Sequence, residues 1–366
     1  MIANLVMLAQ TVTVQVPTIP PPQAQLARWT VGAAECAGAP VAWVRAPAPI
    51  PFIRNAPVTA EVGPTYGFTV DADGRLLDIR RKGAGHVAHG EDLAPALAAA
   101  HAAPAGRSGC TVRFTVITEP LATAPIQRVF AYAAQVRVPP RSVLARINAA
   151  GGDCMRPPYS AIRRRTYPDY RALPATPGAP SWTVTLYDIN ARGAPVRVAT
   201  AGSSGNVALD RAAVDAVARS RWEPRARTGC LAPTPLNAAT LAAPPLPEER
   251  ALRPAGATCP DTLPNVRPPS LTMPEAYRRR AIEGWAVIAY DVAPWGATGN
   301  ARVLSAQPTA EFGEWALRVV GSVAKPASST GHTGCVDRVR FAMGEQAKLL
   351  VSGEEVIPPE TPPAPF

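Results

Sequence analysis

Arg227-Thr-Gly-Cys230 is the stretch that decides the fold, because it comes back twice, as Arg107-Ser-Gly-Cys110 and His332-Thr-Gly-Cys335. A second set of cysteines stands upstream, each behind a small, glycine-bearing stretch: Gly32-Ala-Ala-Glu-Cys36, Gly151-Gly-Asp-Cys154 and Gly256-Ala-Thr-Cys259. Taken in order as pairs, the six lie 74, 76 and 76 residues apart. Three such pairs read as an internal repeat, and a repeat governs the architecture before any single element does.

One disulfide per repeat is the physical reading of this spacing. Six cysteines allow fifteen connectivities, and the repeat selects the in-order one. No cysteine has a C-x-x-C or zinc-knuckle spacing, so tetrahedral zinc is not expected. An even count in a basic, proline-rich chain favours an oxidising compartment. Each bridge would close a loop of about 75 residues, worth roughly 4–5 kcal/mol in the chain-entropy model. Six buried free thiols acting as small apolar residues remain the alternative.

The middles of the repeats also align. Phe68–Ile79, Val184–Val198 and Val287–Leu304 each hold a β-rich run, a turn with glycine (Gly74, Gly193, Gly296) and a second β-rich run. That is the hairpin signature. Helical stretches follow at Glu91–Ala100, Leu209–Arg219 and Glu311–Val320. Leu209, Ala213, Ala216 and Val217 form an apolar stripe, extended by Trp222, and Asp210 suits the first helical turn. Pro104, Pro224 and Pro326 mark the exits. Past the second cysteine, Val112, Phe114 and Val116 alternate on one strand face, with Val339 and Phe341 in matching positions. Leu231-Ala-Pro-Thr-Pro235 departs: its prolines make that strand short, peripheral or absent.

Composition narrows the classes further. Of the 366 residues 47% are hydrophobic and 17% charged, too apolar for a disordered chain. No window reaches 18 apolar residues, so no integral membrane span is expected. The 43 prolines and 27 glycines imply much irregular chain between short elements. The net charge is +10, from 34 arginines, three lysines and 27 acidic residues. The arginines are scattered and aromatics are 6%, so no stretch reads as a nucleic-acid platform. Met1–Ala9 is apolar but lacks a basic lead, which places it at the short edge of a signal peptide.

The unit of hairpin, helix and strand, with its particular residues, resembles the TonB C-terminal domain family. Repeat 2 carries the likeness through Ser203-Ser-Gly205, Leu209-Asp-Arg-Ala-Ala213 and Ser220-Arg-Trp-Glu-Pro224. Repeat 3 carries it through Met273-Pro-Glu-Ala-Tyr-Arg-Arg-Arg-Ala-Ile-Glu-Gly-Trp285. Repeat 1 keeps only the hairpin, helix and last strand. The fold expected is α+β: three tandem small units, each a helix packed on a two- or three-stranded antiparallel sheet. The partition runs from a signal remnant and extended lead, 1–25, to repeat 1, 26–120, and a linker, 121–150. Repeat 2 follows at 151–235, a linker at 236–257, repeat 3 at 258–345 and a proline-rich tail at 346–366. Gln15–Pro22 and Ile357–Phe366 read as extended. The chain looks like a relative without the transmembrane anchor of motor-coupled transducers.

Several stretches invite a chemical reading. Asp71-x-Asp73-Gly74 echoes a calcium loop, but Lys82 stands where that loop needs a carboxylate, so a turn is expected. His86 and His89 lack a third metal ligand, and His101 and His332 are isolated. Gly202-Ser-Ser-Gly205 reads as a turn and helix cap, since repeat 2 contains no histidine to act as a base. Arg163-Arg-Arg165 and Arg278-Arg-Arg280 read either as docking points for acidic partners or lipid phosphates, or as solvated faces of short helices.

No clustered acid, base, metal or cofactor set emerges, so a non-enzymatic protein is expected. In the resembled family the last strand pairs with an extended segment of an outer-membrane receptor. The resemblance gives that role to Val336, Asp337, Arg338, Val339, Arg340 and Phe341, with Thr111–Val116 as a second edge. The expected partner is a segment of an envelope or outer-membrane protein, in the periplasm. Two other arrangements stay open: the disulfides tie the edges shut, or the edges pair between repeats. The alternative function is an envelope assembly component whose basic faces bind anionic surface polymers.

Overall fold

The computed structural model describes residues 23–55, 61–136, 138–248, 252–266, 269, 273–343, 349–351 and 354–356. The lead Met1–Ala9, the run Gln15–Pro22 and the end Ile357–Phe366 lie outside them.

The chain begins with β1 (Gln25–Cys36), β2 (Ala39–Pro40), β3 (Trp43–Arg45) and β4 (Phe52–Arg54). The hairpin β5 (Glu61–Val70) and β6 (Leu76–Lys82) leads to α1 (Leu93–Ala98), β7 (His101–Ala102) and β8 (Arg107–Pro120). Two helices follow, α2 (Ile126–Ala133) and α3 (Arg141–Ala150). After β9 (Ile162–Arg164) come β10 (Ser181–Ile189), β11 (Pro195–Ser203), α4 (Val207–Arg219), β12 (Arg221–Trp222) and β13 (Arg227–Leu236). The last stretch holds α5 (Glu275–Arg279), β14 (Gly284–Val292), β15 (Thr298–Gln307), α6 (Glu311–Ser322) and β16 (His332–Phe341). The short hairpin β17 (Leu349–Val351) and β18 (Glu354–Val356) closes the description.

The result is a mixed α and β protein of several antiparallel sheets and, among the described residues, six α-helices. Three times a hairpin, a helix and a third strand share one order. The third strand lies beside the first, as β6-β5-β8, β11-β10-β13 and β15-β14-β16. The six cysteines are bonded in chain order, Cys36–Cys110, Cys154–Cys230 and Cys259–Cys335.

The glycines explain why the sequence repeats where it does. Gly109, Gly229 and Gly334, each just before a cysteine, have φ of 65°, 65° and 66°. Only glycine takes that left-handed backbone without penalty. In the hairpin turns, a Cβ on Gly74, Gly193 or Gly296 would stand 2.0–2.2 Å from the carbonyl oxygen of Ala102, Trp222 or Lys325. Those same residues donate their N–H to the glycine carbonyls, each at 2.9 Å. The turn glycine thus anchors the chain as it leaves the helix, by one bond found three times.

Elsewhere the structure departs from expectation. The first sheet has six strands rather than two or three, because β1, β2 and β4 extend it beyond β8. Sequence reasoning passed over β1, although Ala27, Trp29 and Val31 alternate along it. The stretch 121–150, read as a linker, carries α2 and α3 around a small core of Leu26, Leu121, Val129, Tyr132 and Val143. Most unexpectedly, the first and third hairpin–helix–strand segments share one core. Ile79, Leu97 and Phe114 belong to the same buried cluster as Tyr277, Phe312 and Phe341. Ile79 of β6 exchanges backbone hydrogen bonds with Pro308 and Ala310, at 3.0 and 2.9 Å. The second segment keeps a separate core of Tyr187, Ile189, Val217, Trp222 and Cys230.

Candidate functional site

A strand that ends its sheet presents unpaired N–H and C=O groups to whatever lies beside it. The three third strands meet that condition in three ways.

β8 is covered. β1 runs antiparallel along it, from Gln25 opposite Pro120 to Cys36 opposite Cys110, with one irregularity between Val31 and Ala34. The Cys36–Cys110 disulfide fastens one end of this pairing. Thr111–Val116, expected as a second edge, is therefore interior, between β1 and β5. Here the bridge does tie an edge shut. The side chains of Val112, Phe114 and Val116 are buried on one face, as their alternation predicts.

β13 is blunted. It runs its full ten residues in spite of Pro233 and Pro235 and forms the rim of its sheet. Val184 stands opposite Pro233 and Trp182 opposite Pro235. The prolines are two apart, so both turn the side that lacks an N–H away from β10. The ladder to β10 survives, and the outer edge is short of two donors.

β16 has no second strand bonded along it among the described residues, and no proline interrupts it. It pairs with β14 alone among the described residues. Register makes Arg338 and Arg340, opposite Val287 and Trp285, the counterparts of Pro233 and Pro235. On the helix side Val339 and Phe341 are fully buried, and the Phe341 ring lies 5.1 Å from that of Phe312. Asp337 is also buried and pairs with Lys325 Nζ at 3.4 Å, while Lys325 donates to the Leu263 carbonyl at 3.1 Å. An inward charge on an edge strand discourages indiscriminate pairing. Arg340 is exposed. The Cys259 segment touches only the start of β16, where the Thr258 N–H donates to the Thr333 carbonyl at 3.0 Å. The β17–β18 hairpin lies against β16 but belongs to a separate sheet.

The other sequence candidates have local duties. Asp71 accepts from the N–H groups of Asp73 and Arg75, at 2.9 and 2.8 Å, and so shapes the β5–β6 turn. His86 is exposed, and the His89 ring stacks on Phe52 at 4.4 Å. Among the described residues no three His, Cys, Asp or Glu side chains gather as a metal set. Ser204 bonds both backbone groups of Trp182, and Ser203 accepts from the Gly205 N–H, so the serines build the turn. The helix cap is Asn206 instead, accepting from the Leu209 N–H at 3.1 Å. Arg163 and Arg164 lie on strand β9, not on a helix. Arg280 is buried rather than solvated.

That last arginine is one of the buried charged groups the sequence did not reveal. The Arg280 guanidinium donates to both oxygens of Asp92, at 2.7 and 2.6 Å, and to the Ala48 carbonyl at 2.8 Å. It ties the third segment to the start of α1. Nearby, Glu311 accepts from the Tyr277 hydroxyl at 2.8 Å. Burial pushes the Glu311 carboxyl up to about 7, and Glu314 and Glu91 add to the rise. Burial and Glu311 also push Tyr66 and Tyr277 well up. These groups stand 188 or more residues from a partner (Asp92 to Arg280) or are flanked by ordinary helix sequence, so no local pattern marks them.

The chain matches no protein-family model and no curated protein.

Proposed function

We propose that this chain is a non-enzymatic, periplasmic binding protein built of three tandem TonB-C-like units. It takes extended peptide segments of envelope proteins by strand addition at Val336–Phe341. One observation carries the reading: the same sheet position in the first segment already holds an added strand. β1 lies on β8 by main-chain pairing over most of its length. Main-chain bonds supply affinity in this mode, and alternate side chains supply choice. β16 offers the corresponding edge without proline, and exposed Arg340 favours a carboxylate directly opposite it. Three disulfides fit an oxidising compartment. No helix of the described residues is long and apolar enough to cross a membrane.

Unit 2 supplies the variant that tests this. Arg338→Pro with Arg340→Pro copies the β13 edge onto β16 in the same register. A displayed library of random dodecapeptides would be panned on the full chain and counter-screened on the double variant. Clones are expected to converge on proline-poor, alternating sequences with Asp or Glu at alternate positions, and to lose binding to the variant. Clones that bind both proteins equally would overturn the reading.

A further inference from the structure

The second segment carries a cost in its fold that its own packing does not explain. β9 and β12 form a two-stranded ribbon in which Arg164 and Arg221 are direct cross-strand partners. Like charges placed opposite each other oppose pairing, and an isolated two-stranded ribbon is already marginal. Arg163 and Arg165 flank the same spot, and all four side chains are exposed. None of the four is in an ion pair among the described residues.

The end of α4 accounts for part of this. Arg164 donates to the Arg219 carbonyl at 3.1 Å, and Arg221 to the Ala218 and Ser220 carbonyls at 3.0 and 2.7 Å. Cations suit a helix C-terminus. Those bonds fix where two guanidinium groups sit, but they neutralise no charge and do not involve Arg163 or Arg165.

Apolar groups are exposed in the same stretch. Ile162 is 47% exposed, Tyr167 60% and Tyr170 40%. The Arg165 guanidinium lies 5.1 Å above the centre of the Tyr167 ring. An inorganic polyanion such as polyphosphate has no apolar or ring surface to set against an exposed isoleucine and two tyrosines. A bilayer surface uses both: arginines bond head-group phosphates, and tyrosines settle at head-group depth.

We propose that the β9–β12 ribbon, with the chain through Tyr170, is a docking surface for the phosphate head groups of an anionic lipid bilayer. It holds the protein at a membrane surface. This surface is separate from β16, and either reading stands without the other.

Vesicle flotation of the full chain tests it. The arms are vesicles of phosphatidylglycerol and phosphatidylcholine in equal parts, vesicles of phosphatidylcholine alone, and inorganic polyphosphate in solution. The variants are R163Q/R164Q/R165Q and Y167S/Y170S. The second pair lies outside the ribbon, so it reports even if the first set loosens β9. The protein is expected to float with the anionic vesicles only, and less so as salt rises. The arginine variant should partition about 100-fold more weakly and the tyrosine variant about 10-fold. No flotation, or flotation unchanged by both variants, would overturn the proposal. So would tight polyphosphate binding with flotation indifferent to the tyrosine pair, which would mark a polyanion site instead.

Discussion

β8 and β16 hold the same place in their sheets, beside the first strand of a hairpin and past a helix. Yet β8 lies inside a six-stranded sheet and β16 at the rim of a three-stranded one. The difference arises from the chain that precedes each hairpin. Before Cys36 runs an extended segment with an apolar alternation, and it lies down on β8 as β1. Among the described residues the chain before Cys259 adds no strand to β16: it bonds Thr333 at the strand's start, and Ala243 and Leu252 pack against the cluster that holds Val336. A disulfide at the same point therefore fastens a strand in one case and a loop in the other. An open edge is a property of the neighbourhood as much as of the strand.

Three experiments would break or sharpen that contrast. The largest effect is expected from Asp92→Ala, which removes the buried ion pair between the first and third segments. It leaves the buried Arg280 without its carboxylate, and losing one partner of a buried pair costs about 3–5 kcal/mol. Urea denaturation should show that loss, and D92A/R280M should recover only part of it, because the buried Ile50 N–H, which donates to Asp92 at 2.7 Å, stays without its acceptor. A single variant within 1 kcal/mol of the parent would mean that the joint does not depend on the pair.

Next comes Cys36→Ser with Cys110→Ser, which unfastens β1. Loss of a native bridge typically costs 2–5 kcal/mol. Hydrogen exchange should quicken in β1 and on the β1-facing amides of β8, while β16 keeps its rates. Equal acceleration at β16 would show that the two edges are not independent.

The smallest effect is expected from Glu311→Gln, at the contact of the same two segments. The folded carboxyl titrates near 7, above its ordinary 4.5. The folded state therefore holds the proton more tightly. This group's contribution is fully present below about 4.5 and is lost as pH rises through about 7. Glutamine can still accept from Tyr277, so E311Q should raise stability at pH 8 by about 1–3 kcal/mol and leave pH 4 unchanged. Thermal melts across that range would check the slope.

Parts of this molecule were plain from residue order. The recurring Thr/Ser-Gly-Cys, the hairpin glycines and the α4 stripe of Leu209, Ala213, Ala216 and Val217 each carry their own local reason. Other features left no such trace. Pro233 and Pro235 allowed a short, peripheral or absent strand, and only the pairing with β10 made β13 long and terminal. Thr111–Val116 and Val336–Phe341 read alike, because a strand's sequence records which face is buried but not whether a neighbour lies at its side. Arg278-Arg-Arg280 read as one basic run, yet Asp92, 188 residues away, draws its last member into the core.

Residue identity by itself determined the turns, the cysteine spacing and the alternation of the strands. Those depend on φ, ψ and side-chain period within a few residues, and glycine, proline and apolar periodicity state them directly. Tertiary structure alone decided which edge is covered, which is blunted and which ends its sheet, and which charges are buried. Such outcomes depend on groups that chain folding brings together from far apart, and main-chain hydrogen bonding between strands carries almost no side-chain signature.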